Sequence, residues 1–178
     1  LSAWLTLASF VGYAFIYTGY LKHATPQNIV IGGLAGAMPP LLGWSAVTGT
    51  IEADAVVLVL IIFAWTPPHF WALAINRKEE YAKSGIPMLP VTHGERVTKI
   101  HILVYTAILV LISVFPSLIG NSSLFYLAAA VALGAGFLHW SVKLMRRPEP
   151  STAMDTFRYS IVYLALLFIA LVVDHYLF

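Results

Sequence analysis

The stretch WTPPHFWALAINRKEEY, residues 65–81, gathers side chains able to meet a metal ion, an anion and a flat apolar molecule within a few turns of chain. If it is helical throughout, His69, Asn76 and Glu80 stand at i, i+7 and i+11 and share one face. Asn76 and Glu80 offer oxygen ligands of the kind Mg²⁺ takes alongside substrate phosphates. Arg77, Lys78 and Lys83 supply positive charge for an anionic headgroup such as a diphosphate, and Lys22 adds a cation from earlier in the chain. Tyr20, Trp71, Tyr81 and His139 add aromatic surface and a second imidazole. His69 also has a plain reading, as a core histidine bonded to a carbonyl that a proline leaves without a donor. The charged cluster has one too, as a solvated surface. Their coincidence with two double prolines, Pro39–Pro40 and Pro67–Pro68, favours a site.

The elements that carry these residues are built for a bilayer. Of 178 residues, 60% are hydrophobic and 10% charged; a soluble domain carries roughly a quarter charged residues. Six segments, 1–21, 28–48, 53–75, 100–119, 123–142 and 157–178, approach the ~20 mostly apolar residues that span a hydrocarbon core. The expected fold is therefore an all-α, multi-pass membrane helix bundle. Lys22 lies in the first connection; Arg77, Lys78, Lys83, Arg96 and Lys99 lie in the third; Lys143, Arg146, Arg147 and Arg158 lie in or beside the fifth. The opposite connections hold Glu52 and Asp54, or no charge around Asn121. Positively charged connections stay cytoplasmic, which puts the equipped face there. A net charge of +2 is too small to suggest a nucleic-acid partner, and the absence of cysteine excludes disulfides and thiolate chemistry. Leu1 opens directly into an apolar run with neither an initiator Met nor a signal-peptide pattern, so a truncated N-terminus is expected.

Two helices should be irregular. Gly32 and Gly36 form a small-xxx-small pair that permits close helix approach. Pro39 and Pro40 deprive the carbonyls of Ala35 and Gly36 of donors, and Pro67 and Pro68 do the same to Phe63 and Ala64. Such breaks serve packing or widen a substrate cavity. The connection KSGIPMLPVTHGERVTK is stiff and apolar around Ile86, Met88 and Leu89, and reads as a lid or as a chemically silent interfacial segment.

Three motifs in order, YLKHATPQNIVIGGLAGAMPPLLGWSAVTG, WTPPHFWALAI and EYAKSGIPMLPVTHG, resemble the haem O synthase (protoheme IX farnesyltransferase) family of UbiA-type intramembrane prenyltransferases. The closing AMDTFRYSIVYLALLF resembles that family's last helix, so the likeness covers nearly the whole chain. The resemblance implies a single prenyltransferase domain over residues 1–178, six helices of an expected nine, with the first three helices and the first Asp-rich motif missing. A fragment lacking that motif is expected to be inactive alone. The implied reaction moves a farnesyl group from farnesyl diphosphate to a vinyl group of haem b, with Mg²⁺ as cofactor, giving haem O for haem-copper terminal oxidases.

By residue, the resemblance implies His69, Asn76 and Glu80 as catalytic, Asn76 and Glu80 as Mg²⁺ ligands, and Lys22, Arg77 and Lys78 as diphosphate-binding. Tyr20, Trp71, Tyr81 and His139 are implied haem or prenyl contacts. Glu80 stands where the family usually has Asp, which keeps the charge and changes how the metal is reached. Bacterial-looking details imply the cytoplasmic (inner) membrane, with haem A synthase or a terminal oxidase assembly as partners. A quinone or chlorophyll-type acceptor is the nearest alternative. A non-enzymatic haem carrier, with His69 and His139 on the iron, is the alternative from another class.

Overall fold

The computed structural model describes residues 1–146 and 149–177. Arg147, one of the expected cytoplasmic cations, and Phe178, the end of the last expected span, lie outside the described residues. Helix α1 (Ser2–Val11) passes into a π-helical stretch (Gly12–Leu21) and a short α2 (Lys22–Ala24). Helices α3 (Asn28–Gly36) and α4 (Pro39–Thr48) follow, then α5 (Ala53–Asn76), α6 (Lys78–Lys83) and α7 (Leu89–Thr92). Helices α8 (Gly94–Leu118), α9 (Leu124–Arg146) and α10 (Pro150–Leu177) complete the chain. Five stretches are long and apolar enough to cross a membrane: Asn28–Thr48, Ala53–Asn76, Gly94–Leu118, Leu124–Arg146 and Ser151–Leu177. The protein is thus an integral, multi-pass membrane helix bundle. The expected sixth span, 1–21, is helical but changes from α to π winding at Gly12, so it is not one long α-helix.

The two double prolines behave differently. Pro39 and Pro40 open α4 after a break at Ala37–Met38, where a fixed φ and a missing N–H cost least. Pro67 and Pro68 do not break α5, which is continuous from Ala53 to Asn76, contrary to expectation. Burial of the surrounding turns against α8 and α10 holds the helix through them. The Gly32–Gly36 pair is half realised. A side chain at Gly32 would collide with the Tyr17 ring, whereas a Cβ at Gly36, the last residue of α3, would meet nothing within 4 Å.

α5, α8, α9 and α10 form the packed body. Ile61, Leu109, Phe137, Tyr163 and Leu167 fill its centre, and Trp71, Met88, Leu89, Ile102 and Leu144 fill the end where α5 turns into α6. Hydroxyls tie the helices together: Ser113 Oγ lies 2.7 Å from Tyr163 Oη, and Thr106 Oγ1 lies 3.0 Å from Ser141 Oγ. Outward-facing Leu111, Leu124, Ile169 and Val172 are exposed, as lipid-facing residues are. Met88 and Leu89 are buried in the body, so the 86–89 segment is an anchored plug and not a lid. Burial of its apolar side chains against Trp71 and Ile102 decides this.

At the opposite end, Asp174 of α10 caps a neighbouring helix. It accepts hydrogen bonds from the backbone N–H groups of Ser123 (2.9 Å) and Tyr126 (3.3 Å) and from the Ser123 hydroxyl. A carboxylate inside a membrane helix is a functional candidate by default; here the orphan amides opening α9 account for it. Asp174→Ala should therefore cost about 1–3 kcal/mol, read as a lower thermal midpoint in detergent. An unchanged midpoint would contradict the cap.

Candidate functional site

The functional corner is built by a helix stop. α5 ends at Asn76, Arg77 takes a non-helical conformation (φ −104°, ψ 26°), and α6 restarts at Lys78. The stop brings the α5–α6 corner over the first turns of α8 and the residues that lead into α10. Between them lies a cleft of about 550 Å³ lined by Ile75, Asn76, Arg77, Lys78, Glu79, Glu80, Ala82, Glu95, Lys99 and Glu149. Four of the residues expected to act at a site, Asn76, Arg77, Lys78 and Glu80, share this one cleft. Glu95, Lys99 and Glu149 join them from other elements.

The cleft is not simply basic. Arg77 pairs with Glu80 at 3.8 Å, and Glu95 holds both Lys78 (3.6 Å) and Lys99 (3.4 Å). Arg77 and Glu80 are exposed, so their pair adds little to stability. Lys99 is different: it is 6% exposed, and a cation taken that far from water needs its counter-charge. An anion entering the cleft meets three cations whose present partners are carboxylates within the same cleft. Its arrival would exchange one set of ion pairs for another.

Asn76 and Glu80 both face this space. Among the described residues, no three His, Asp or Glu side chains gather closely enough to hold a metal ion by themselves. A carboxamide and a carboxylate suit a Mg²⁺ ion shared with substrate phosphates, since Mg²⁺ is commonly held by one or two carboxylates plus such phosphates. Asn76 and Glu80 fit that shared mode.

His69 lies seven residues before Asn76, about 10 Å along the helix axis. It is 8% exposed and does not line the cleft. Its ring is stacked between Trp65 (4.1 Å between centroids) and Phe157 (4.5 Å), with Phe70 edge-on at 5.1 Å. Nδ1 lies 2.7 Å from Ser160 Oγ of α10. The expected bond to a proline-freed carbonyl is replaced by this hydroxyl. Trp65 and Phe70, which pack on His69, also line a second cavity of about 260 Å³ together with Tyr13, Tyr17, Ile29, Gly32, Gly33, Gly36, Ile62 and Thr66. That cavity is mostly apolar and lies between the π-helical stretch, α3 and α5. His69 thus stands one ring behind its wall.

Five further expected residues lie elsewhere. Trp71 is fully buried, edge-on to His101 and Tyr105 in the α5–α8 seam, and lines neither cavity. Tyr81 is half-buried against the core cluster beneath α6. Tyr20 is exposed, and Lys22 offers its backbone carbonyl to Asn28 Nδ2 (3.0 Å) without lining the cleft. His139 sits exposed on α9 beside Val142, Lys143 and Arg146, in a separate groove. His69 faces α10 while His139 lies on an open face of α9, so the two imidazoles do not converge on one iron.

Sequence reasoning missed Tyr13 and Tyr17, which stack at 5.3 Å and face α3. Their i, i+4 spacing in the first apolar run was the available signal. Nothing in the local sequence marked Glu95 or Glu149, which reach the cleft only through tertiary packing.

The profile of the UbiA prenyltransferase family matches residues 1–172. "Protoheme IX farnesyltransferase 1" of Pseudomonas fluorescens (strain Pf0-1) is 68% identical over 177 residues, covering 99% of this chain and 59% of that protein. "Protoheme IX farnesyltransferase" of Stutzerimonas stutzeri (strain A1501) is 67% identical, with 99% and 59% covered. The protein of the same name from Marinobacter nauticus (strain VT8) is 65% identical over 178 residues, with 100% and 59% covered. The chain therefore spans about 59% of the length of these relatives. A solved structure from work on digeranylgeranylglyceryl phosphate synthase in membranes superposes with a TM-score of 0.85 at 17% identity, over 98% of this chain and 61% of the other. That likeness speaks to the fold alone.

Proposed function

The chain belongs to the UbiA prenyltransferase family, and from that premise we propose that its reaction is transfer of a farnesyl group from farnesyl diphosphate to a vinyl group of haem b, giving haem O. The observation that carries this reading is identity of 65–68% along essentially the whole chain to proteins named protoheme IX farnesyltransferase. The domain is the C-terminal part of a nine-helix prenyltransferase, working from the cytoplasmic face of a bacterial inner membrane. Its product passes to haem A synthase or a terminal oxidase assembly.

In this reading the 550 Å³ cleft receives the diphosphate. Arg77, Lys78 and Lys99 hold the leaving group, and Glu95, which now occupies both lysines, gives them up to it. Lys22, on α2, is assigned to the same leaving group although it does not line the cleft. Asn76 and Glu80 would hold a Mg²⁺ ion, which when bound would supply neutralisation of the charge that builds on the departing diphosphate. The farnesyl chain lies in apolar space, for which the cavity bounded by Tyr13, Tyr17, Trp65 and Phe70 is suited. Carbon–carbon bond formation leaves a cation beside the porphyrin, and water captures it as a hydroxyl with loss of one proton. His69, packed behind Trp65 and Phe70, is the imidazole assigned to take that proton.

Expression of the full-length protein in a strain without haem O synthase tests the assignment. HPLC of extracted haems should show haem b converted to a more apolar haem, dependent on farnesyl diphosphate. Haem b alone, or a prenylated quinone in its place, would overturn it.

A further inference from the structure

Ser160 is gripped twice by one face of α5. Trp65 Nε1 donates to the Ser160 carbonyl at 2.7 Å, and four residues along, His69 Nδ1 meets the Ser160 hydroxyl at 2.7 Å. The hydroxyl has a second contact, 2.6 Å from the carbonyl oxygen of Phe157 on its own helix. A serine hydroxyl carries one hydrogen and two lone pairs, whereas a carbonyl oxygen can only accept. The single hydrogen is therefore committed to Phe157. The 2.7 Å contact with His69 can then be a hydrogen bond in one direction only, from Nδ1–H to Ser160 Oγ.

We propose that Ser160 is a positioning residue that fixes His69 as its Nδ1–H tautomer and leaves Nε2 as the lone pair. The tautomer of a histidine is set by the bond its other nitrogen makes. Isolated imidazole side chains in water favour the opposite form, so the protein is imposing a choice. The consequence is directional: Nε2 can accept a proton or a hydrogen bond and cannot donate one. Trp65 and Phe157, stacked on the two faces of the ring, keep it from rotating out of this arrangement. For catalysis the inference rests on the reading of His69 as the proton acceptor. The tautomer assignment does not.

The test is ¹⁵N NMR of histidine-labelled full-length protein in lipid bilayers, with the His69 signal identified by its loss in His69→Gln. The wild type should show protonated Nδ1 and unprotonated Nε2. Ser160→Ala should release the constraint and populate the Nε2–H form, while Ser160→Thr, which keeps a hydroxyl able to bond back along the helix, should restore the wild-type pattern. Haem O formation should fall on the order of 10-fold in Ser160→Ala and recover in Ser160→Thr. An Nε2–H wild type would overturn the proposal, as would a Ser160→Ala protein that keeps Nδ1–H. Should Ser160→Ala fail to fold, the wild-type and Ser160→Thr spectra still decide. A protein that makes no haem O but shows the expected tautomer would sink the functional reading and leave this one standing.

Discussion

Full-length protein carrying Glu80→Ala should lose haem O formation by about two to three orders of magnitude while inserting and unfolding like the wild type. The side chain is 71% exposed and its Arg77 partner, 3.8 Å away, is 55% exposed, so the fold depends little on the pair. Its whole value lies in what enters the cleft. Removal of the carboxylate takes away half of the Asn76–Glu80 donor pair and unbalances the cations around it. Glu80→Asp should retain most activity, because the charge stays and only the reach shortens. Haem extraction after expression reads both variants. Normal turnover in Glu80→Ala would remove this carboxylate from the site.

His69→Ala should abolish activity as well, by roughly 100-fold or more, but with a different signature. Here a buried ring is lost from between Trp65 and Phe157, and Ser160 loses its donor. Destabilisation of about 2–4 kcal/mol should accompany the loss. His69→Gln fills most of the space and keeps a donor near Ser160, so it should recover stability without recovering turnover. Activity that returns with stability in His69→Gln would make the ring a packing element only.

The membrane class was legible because it depends on bulk composition and on the placement of Lys and Arg, which no packing detail can reverse. The corner at Asn76 was legible too: Asn76, Arg77, Lys78 and Glu80 are neighbours in sequence, and a helix end keeps them neighbours in space. Four features were not legible, each for a physical reason. Double proline opened a helix at Pro39 and was tolerated inside one at Pro67, a difference made by the packing of α5 against α8 and α10. The apolar 86–89 segment has the composition of a lid and the burial of a core, and only the position of Trp71 and Ile102 separates these. His139 resembles His69 as a letter, but one faces a groove on α9 and the other a serine on α10. Glu95 escaped notice because an acidic residue in a basic connection looks like ordinary surface until two lysines are seen to share it.

The absence of cysteine from this chain makes one measurement especially clean. Ala82 lines the cleft without any proposed role in binding, so Ala82→Cys places a lone thiol there once any cysteine elsewhere in the full-length protein is replaced. A membrane-impermeant thiol reagent should label it in inverted membrane vesicles and not in right-side-out ones, and farnesyl diphosphate with Mg²⁺ should slow that labelling in proportion to its occupancy. Labelling from the outer face, or a rate indifferent to farnesyl diphosphate, would contradict a cytoplasmic diphosphate site at the α5–α6 corner.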